Sequence, residues 1–245
     1  HFTPPQDDDV ASLARWAVAM AGLFGIHWLG VTLPLGSSRG YSAASLEGAV
    51  QFLKSSAIRG RMFNEIESVS MLIGSGERPV FVDARAALYG PQFTRDAQRW
   101  PYGFKGIADI YGFDYAVIMN HRERYPARVL DEDPGWRLTY ADDTALVYVK
   151  RGGVSGWLVR DWAPRLLRPN GLWPDTMDTA LGDPRRLPKV MEELDRWILQ
   201  APDSAQALIW KGYALDRRGL MDKASRLLIL ASERRRVQRD PELGA

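Results

Sequence analysis

The stretch WAVAMAGLFGIHWLGVTLPL, from Trp16 to Leu35, decides how this chain is laid out. It contains no Asp, Glu, Lys or Arg, and as a helix it would span roughly 30 Å, the thickness of a bilayer core. A buried helix of a soluble domain is the alternative, but such a helix usually keeps a polar face, whereas this run is apolar all round. We therefore predict an N-terminal tail over residues 1–15 and a single transmembrane helix over residues 16–38.

Four residues inside this run are candidates for packing or ligand binding within a membrane: Gly22, Gly25, His27 and Gly30. Glycines let neighbouring membrane helices approach closely. A neutral imidazole at membrane depth is able to ligate a tetrapyrrole, although a hydrogen bond to a neighbouring helix is the more frequent use. We therefore expect no cofactor, with ligation of a tetrapyrrole by His27 as the minor alternative.

Composition excludes several classes of function. Hydrophobic residues make up 46% of the 245 residues and charged residues 25%, which is typical of a folded protein. The net charge of +2 is too small for a nucleic-acid binder. With 0 Cys and only 3 scattered His, disulfides, thiolate nucleophiles and a histidine-rich metal site are not expected.

Two signals on membrane orientation disagree. Asp7–Asp9 precede the apolar run and Arg39, Lys54 and Arg59 follow it, so the positive-inside rule places the large domain in the cytoplasm. The absence of cysteine suits an oxidising extracytoplasmic space. We expect the large domain to be periplasmic, with the cytoplasmic orientation left open.

Residues 39–151 have the pattern of a small three-layer α/β domain with a mixed sheet. Helices are predicted over Ala43–Ser56, Phe93–Arg99 and Gly106–Tyr111, and strands over Val69–Ile73, Pro79–Asp83 and Tyr115–Met119. A hairpin is predicted from Trp136–Tyr140 to Ala145–Val149, through a solvated turn that contains Asp142 and Asp143. This alternation of strands and helices is the basis of the predicted fold class.

Two further regions follow this domain. Residues 152–186 are rich in Pro, Gly and Trp and are interpreted as an irregular connection. Residues 187–245 are predicted to be helical, with a break at Pro202–Ser204 and with Ser204 as the candidate N-cap of the helix that follows the break. Aromatic residues here are candidates for a protein interface, although structural packing is their more frequent use. The candidates are Trp157, Trp162, Trp173 and Trp210.

The helical tail resembles a tetratricopeptide repeat. The residues that carry the resemblance are small and apolar, namely Gly212, Gly219, Ala224, Leu228 and Ala231. The resemblance implies two closely packed helices that must bury their outer faces against the α/β domain or another protein. A plain helical hairpin is the alternative.

A second resemblance covers residues 52–151. The segments QFLKSSAIRGRMFNE, RPVFVDARAALYG, YGFDYAVI and PGWRLTYADDTALVYVKR resemble the C-terminal extramembrane region of multi-spanning GT-C type glycosyltransferases, which use lipid-linked sugars. The catalytic acids of that family lie between early membrane helices, which this sequence does not contain. The resemblance therefore implies a fold and a place near the membrane, and not transferase activity.

No motif predicts catalysis or metal binding. Asp83 and Arg85 follow a predicted strand, where polar ligands often bind, but a structural ion pair is the favoured interpretation. We therefore predict a non-catalytic accessory or scaffold subunit of a larger membrane complex, with integral membrane proteins and the lipid bilayer as partners. If His27 binds a tetrapyrrole, that complex carries pigment or haem, as photosynthetic and respiratory complexes do. The alternatives are a fragment or degenerate relative of a GT-C glycosyltransferase, or a periplasmic sugar- or lipid-binding module that uses Asp83 and Arg85.

Overall fold

Four short strands form a mixed sheet in the order β1–β2–β4–β3. The strands are β1 (Met62–Asn64), β2 (Tyr115–Met119), β3 (Trp136–Ala141) and β4 (Ala145–Lys150). Strand β1 runs parallel to β2, and the other two pairings are antiparallel. The computed structural model describes residues 46–76, 79–83, 85–120, 125–167, 169 and 181–239. Over these residues the predicted α/β class with a mixed sheet is confirmed.

Helices surround this sheet and extend beyond it. They are α1 (Glu47–Ser55), α2 (Val69–Gly74), α3 (Pro91–Tyr111), α4 (Tyr125–Glu132), α5 (Trp157–Trp162), α6 (Leu187–Gln200), α7 (Ala205–Asp216) and α8 (Met221–Arg239). Short 3-10 helices cover Ile66–Ser68 and Ala86–Tyr89. The described residues all belong to one compact unit of the chain.

Side chains from the sheet pack against helices on both faces. Val147 and Tyr148 are consecutive in β4 and therefore point to opposite faces. Tyr140, which pairs with Val147, stacks on Phe52 of α1 with ring centroids 4.9 Å apart. The Tyr148 hydroxyl donates to Asp131 of α4 at 2.9 Å. Helix α1 thus covers one face and helix α4 the other.

The central elements agree with the sequence predictions. Strand β2 has the predicted bounds, and β3 and β4 form the predicted hairpin. The described part of the first predicted helix contains α1, which buries Ala49, Val50 and Leu53 on one face. These segments combine strong periodicity with a buried face, so pattern and packing favour the same structure.

The prediction of a strand over Val69–Ile73 is wrong, because these residues lie in α2. Val69 and Leu72 are buried three residues apart, which is a helical spacing. The strand in this region is β1, which lies before the predicted strand in the sequence. A short apolar run fits either structure, and the 3-10 helix at Ile66–Ser68 leads the chain directly into α2.

The prediction of a buried strand over Pro79–Asp83 is also wrong. The segment pairs with a side chain and not with a backbone ladder: Asn64 Oδ1 accepts from the Phe81 amide at 2.7 Å, and Asn64 Nδ2 donates to the Val82 carbonyl at 3.0 Å. Val82 is still buried, which explains why its apolar sequence resembled a strand. One asparagine side chain thus holds this segment beside the end of β1.

The two short helices predicted between residues 93 and 111 are two halves of α3. Gly103 interrupts the helix with φ −145° and ψ 25°, which are not helical values. Gly112 ends α3 in the left-handed region at φ 66°. The kink therefore explains why the pattern predicted two separate helices.

The C-terminal region contains the helices that the sequence predicted, with one addition. Ser204 caps α7 by accepting a hydrogen bond from the Ala207 amide, as predicted for this position. Gly212 allows α7 to approach α8, since a Cβ there would lie 3.1 Å from the Leu228 side chain. The region predicted to be an irregular connection contains α5, a helix that its weak periodicity did not indicate.

The apolar run at Trp16–Leu35, with Gly22, Gly25, His27 and Gly30, lies outside the described residues. Within the part of the chain that the structure does describe, no helix has both the length and the apolar character needed to cross a membrane.

Candidate functional site

A cleft of about 870 Å³ opens where four parts of the fold meet. These are one face of α1, the β3–β4 turn, the end of α5, and the end of α6 with the turn into α7. Its volume falls within the range of about 300–1,000 Å³ that is common for ligand pockets. Because the described elements that line it are separated by up to about 150 residues in sequence, only the folded chain brings them together.

Helix α1 forms one wall of this cleft. Glu47, Gln51 and Ser55 are spaced four residues apart, so they share a helical face. Gly48 lies beside them against Tyr140 and Asp142, where a Cβ would come within 2.8 Å of Asp142 Oδ2. A glycine at this position therefore lets α1 lie directly on the hairpin.

Asp142 lies at the floor of the cleft and is buried, with 8% of its surface exposed. Its Oδ2 accepts from the Tyr140 hydroxyl at 2.6 Å, and its Oδ1 accepts from the amides of Thr144 and Ala145 at 2.8 and 2.7 Å. Burial raises the pKa of the Asp142 carboxyl, while the hydrogen bonds from these donors act in the opposite direction. The prediction of a solvated turn is therefore wrong for this residue, because its own turn encloses the carboxylate.

Asp143 has a different role from its neighbour. Its carboxylate accepts from the amides of Ala205 and Gln206 at 2.7 and 2.9 Å, and from the Ser204 hydroxyl at 3.0 Å. A carboxylate at this position also interacts favourably with the positive end of the α7 dipole. Asp143 thus joins the hairpin turn to the start of α7, and the two adjacent acids point to separate partners.

The opposite wall combines aromatic and polar side chains. Trp162 ends α5 and meets Phe52 edge to face, with ring centroids 6.0 Å apart. Helix α6 contributes Arg196, Leu199 and Gln200, which share a face at i, i+3 and i+4 spacing. The cleft therefore has an aromatic patch close to charged and amide groups.

A buried carboxylate holds α6 in place behind this wall. Glu193 accepts from the amides of Arg165, Leu166 and Leu167 at 2.8 to 3.2 Å. In addition, the Trp197 indole donates to the Ala141 carbonyl at 2.7 Å. These contacts fix α6 to both the hairpin and the segment that follows α5.

The charge of the cleft is predominantly negative. Its described lining includes one basic residue, Arg196, and five acidic residues: Glu47, Asp142, Asp143, Asp161 and Asp203. Burial is the main reason that the pKa of Tyr140 is raised, and the charges of Asp142, Asp143 and Asp203 raise it further. The negative field of these carboxylates therefore converges on the Tyr140 hydroxyl.

Asp83 and Arg85 form an ion pair outside this cleft. Arg85 Nη2 lies 2.6 Å from Asp83 Oδ2, the Arg85 amide donates to Asp83 Oδ1 at 2.8 Å, and the Tyr89 hydroxyl donates to the same carboxylate. The hydrogen bonds from Arg85 lower the pKa of the Asp83 carboxyl. The favoured structural interpretation fits this geometry, since both carboxylate oxygens already accept hydrogen bonds from the chain.

The four candidate interface tryptophans differ in position. Trp162 lines the cleft, and Trp157 is 46% exposed at the start of α5. Trp210 is 2% exposed and packs against Trp197, so this side chain belongs to the core and does not fit the predicted interface. Trp173 lies outside the described residues.

Sequence reasoning missed most of the cleft. No motif links its lining residues on three different helices. These residues are Glu47 and Gly48 in α1, Asp161 in α5 and Arg196 in α6. The available signal was Asp142–Asp143 in a hairpin turn together with an N-cap at Ser204, but nothing in the sequence indicated that these two features meet.

Comparisons with protein-family models, curated proteins and solved structures find no match to this chain. Among the residues that the structure describes, no group of three or more His, Cys, Asp or Glu side chains is arranged to hold a metal ion.

Proposed function

We propose that this chain is a non-catalytic accessory or scaffold subunit of a larger membrane complex, and that its cleft binds a partner protein. One observation carries the proposal: some carboxylates of the cleft hydrogen-bond to the chain itself, and others are exposed to solvent. Asp142 and Asp143 accept hydrogen bonds from the chain's own amides and hydroxyls, which stabilises the walls. Glu47 and Asp203 are exposed at the rim, where a partner is able to reach them.

A proton-transfer role fits this arrangement less well. A general acid or base has to be within hydrogen-bond reach of a substrate proton. The Asp142 carboxylate is enclosed by Tyr140, Thr144 and Ala145, and its oxygens already accept hydrogen bonds from them. These contacts favour a structural role for the floor of the cleft and a binding role for its rim.

Two finer features belong to the same proposal. The apolar run Trp16–Leu35 anchors the chain in the bilayer, and its glycines pack on partner helices. The α7–α8 hairpin acts as a tetratricopeptide-like unit, supported by the close approach of Gly212 to Leu228. Exposed Ile229 and Leu230 on α8 leave an outer surface on which a partner is able to pack.

Purification of the full chain from its native membrane in mild detergent tests this proposal. We expect it to elute in a complex with at least one integral membrane protein, with a mass well above that of the chain and its detergent. Elution as a monomer, without any membrane protein, contradicts the proposal.

A degenerate relative of the GT-C glycosyltransferases is the second candidate. It is favoured by one observation: Asn64, in the first segment that resembles that family, holds Phe81 and Val82 in the second. The two segments therefore pack as one structural unit. Transfer of sugar from a polyprenyl-phosphate donor by the protein from native membranes would support this candidate, and its absence would leave the accessory subunit as the better account.

A further inference from the structure

We propose that the cleft recognises a basic segment of the partner polypeptide, and that lysine or arginine side chains of this segment enter between α1 and the α6–α7 turn. This inference rests on the proposed function and adds the chemistry of the partner. The expected ligand is a peptide, and equally good binding of a free polyamine would contradict the inference.

The rim of the cleft carries carboxylates from three elements. Glu47 lies in the first turn of α1, Asp161 lies near the end of α5, and Asp203 lies in the turn between α6 and α7. These three carboxylates thus reach the cleft from three separate elements. A basic chain that crosses the opening would meet a carboxylate from each of them, which gives charge complementarity along its length.

These rim acids keep their charge within reach of solvent. Asp161 and Asp203 have arginine partners, Arg160 at 2.9 Å and Arg234 at 2.7 Å, but their side chains remain 42% and 75% exposed. Exposed ion pairs of this kind contribute little to folding, because both charged groups stay largely solvated. An incoming guanidinium or ammonium group is therefore able to replace them at little cost.

An apolar patch lies beside these charges. Trp162 lines the cleft, the buried Phe52 supports the Trp162 ring edge to face, and Leu199 is exposed at the border of the cleft. Lysine and arginine carry methylene stems that pack on such surfaces while their charged ends stay near carboxylates. An aromatic ring also attracts a cation placed over its face. The combination suits long basic side chains better than a compact inorganic cation.

Hydrogen bonds within the chain fix the shape of the site. The floor is held by the Tyr140–Asp142 hydrogen bond, and the wall by the contacts of Asp143 with the start of α7. A site whose walls are already ordered loses little conformational entropy when a ligand binds. The cleft is therefore prepared for its ligand before binding.

Fluorescence anisotropy with the full chain in non-ionic detergent tests the proposal. The probe is a labelled hexapeptide of alternating lysine and glycine, and the comparison is the same peptide with glutamate in place of lysine. We expect saturable binding of the lysine peptide only, weakening as salt is raised because the rim charges are solvent-exposed.

A matched pair of double variants locates the binding. The variant E47Q/D161N neutralises Glu47, which lies in the first turn of α1, and Asp161, which pairs with the neighbouring Arg160. The control E132Q/D222N changes the same kinds of residue outside the cleft, since Asp222 lies in the first turn of α8 and Glu132 pairs with Arg128. We expect about tenfold weaker binding for the first variant and less than about twofold for the control.

The outcomes separate this inference from the proposed function. Equal binding of the two peptides, an equal loss in both variants, or displacement by spermidine at the same concentration as by the lysine peptide would overturn the basic-peptide assignment. A membrane partner that co-purifies while the lysine peptide does not bind would overturn this inference alone. Selective binding by a chain that purifies as a monomer would support recognition of basic peptides and contradict the scaffold proposal.

Discussion

Gly48 is the residue that sets how closely α1 approaches the hairpin. A Cβ at this position would collide with the Tyr140 hydroxyl and lie 2.8 Å from Asp142 Oδ2. Both atoms are held by their mutual hydrogen bond, so neither is free to move away. The absence of a side chain at Gly48 is therefore required by packing, although glycine is unfavourable inside a helix.

We predict that Gly48→Ala lowers the free energy of unfolding by about 1–3 kcal/mol, because overpacking outweighs the gain in helix propensity. Gly106→Ala in α3 is the matched control, since nothing lies within 4 Å of a Cβ built there. It should stabilise the protein by about 0.5–1 kcal/mol. Urea unfolding measures both variants, and a neutral or stabilising Gly48→Ala would contradict this account of the floor.

Asp83 is the residue whose ionisation should be visible in the pH dependence of stability. Its pKa is lowered in the folded state from an ordinary value of 3.8 by the hydrogen bonds and charge of Arg85. A lowered folded-state pKa means that its contribution to stability is present above 3.8 and is lost as the pH falls through the folded-state value.

We therefore predict that Asp83→Asn costs stability at pH 7 and that its difference from the wild type shrinks as the pH is lowered below 3.8. Urea unfolding at several pH values between 7 and 3 measures this difference. A difference that stays constant over the whole range would show that the carboxylate charge contributes nothing.

At the scale of elements, the hairpin turn and the start of α7 should behave as one unit. Asp143 accepts from the amides of Ala205 and Gln206, while Ser204 caps the same helix. We predict that Asp143→Ala and Ser204→Ala each cost about 1–2 kcal/mol of stability. Because the two side chains also hydrogen-bond to each other, the double variant should cost less than the sum of the two single changes.

Hydrogen exchange provides a local measurement of the same link. The amides of Ala205 and Gln206 should lose protection in Asp143→Ala, whereas those in β2 should keep it. Strictly additive changes in stability, with unchanged exchange at the start of α7, would contradict the link.

Glu193 should be more important to the fold than its neighbour Glu192. Glu193 is buried and accepts from three consecutive backbone amides, whereas Glu192 forms an exposed ion pair with Arg196. We predict that Glu193→Gln costs about 1–3 kcal/mol, because an amide leaves part of this buried hydrogen bonding unmet. Glu192→Gln should stay within about 0.5 kcal/mol. Thermal or urea unfolding compares the pair, and equal effects would refute the assigned role.

The elements that the sequence predicted well are those in which the hydrophobic pattern and the pairing partner in the fold favour the same structure. Strand β2 and the β3–β4 hairpin are rich in apolar and β-branched residues, and they pair with each other. The errors at Val69–Ile73 and Pro79–Asp83 have local causes, namely a 3-10 helix that leads into α2 and the side chain of Asn64, which replaces a strand partner. Neither cause appears in hydrophobic periodicity.

At the scale of the whole molecule, the cleft depends on how the C-terminal helices return to the sheet. Its walls combine α1 and the hairpin with α5, α6 and the turn into α7. Individual residues such as Asp142, Asp143 and Ser204 were visible in the sequence, and the N-cap was correctly identified. The contact between these residues in the fold was not predictable, because hydrophobic periodicity does not specify how elements distant in sequence pack.

Leu199 and Leu88 offer a matched pair of positions for testing the central claim in the native membrane. They are 82% and 81% exposed, but only Leu199 is among the described residues that line the cleft. At either position, a photo-crosslinking amino acid replaces a leucine of nearly the same exposure. The two variants therefore differ mainly in whether the probe faces the proposed binding site.

Photo-crosslinking at residue 199 in native membranes, compared with residue 88, tests the central claim most directly. We predict a discrete adduct with an integral membrane protein from residue 199, weakened by E47Q/D161N and absent from residue 88. No adduct from residue 199, or the same adduct with equal yield from both positions, would contradict the claim that the cleft binds a membrane partner.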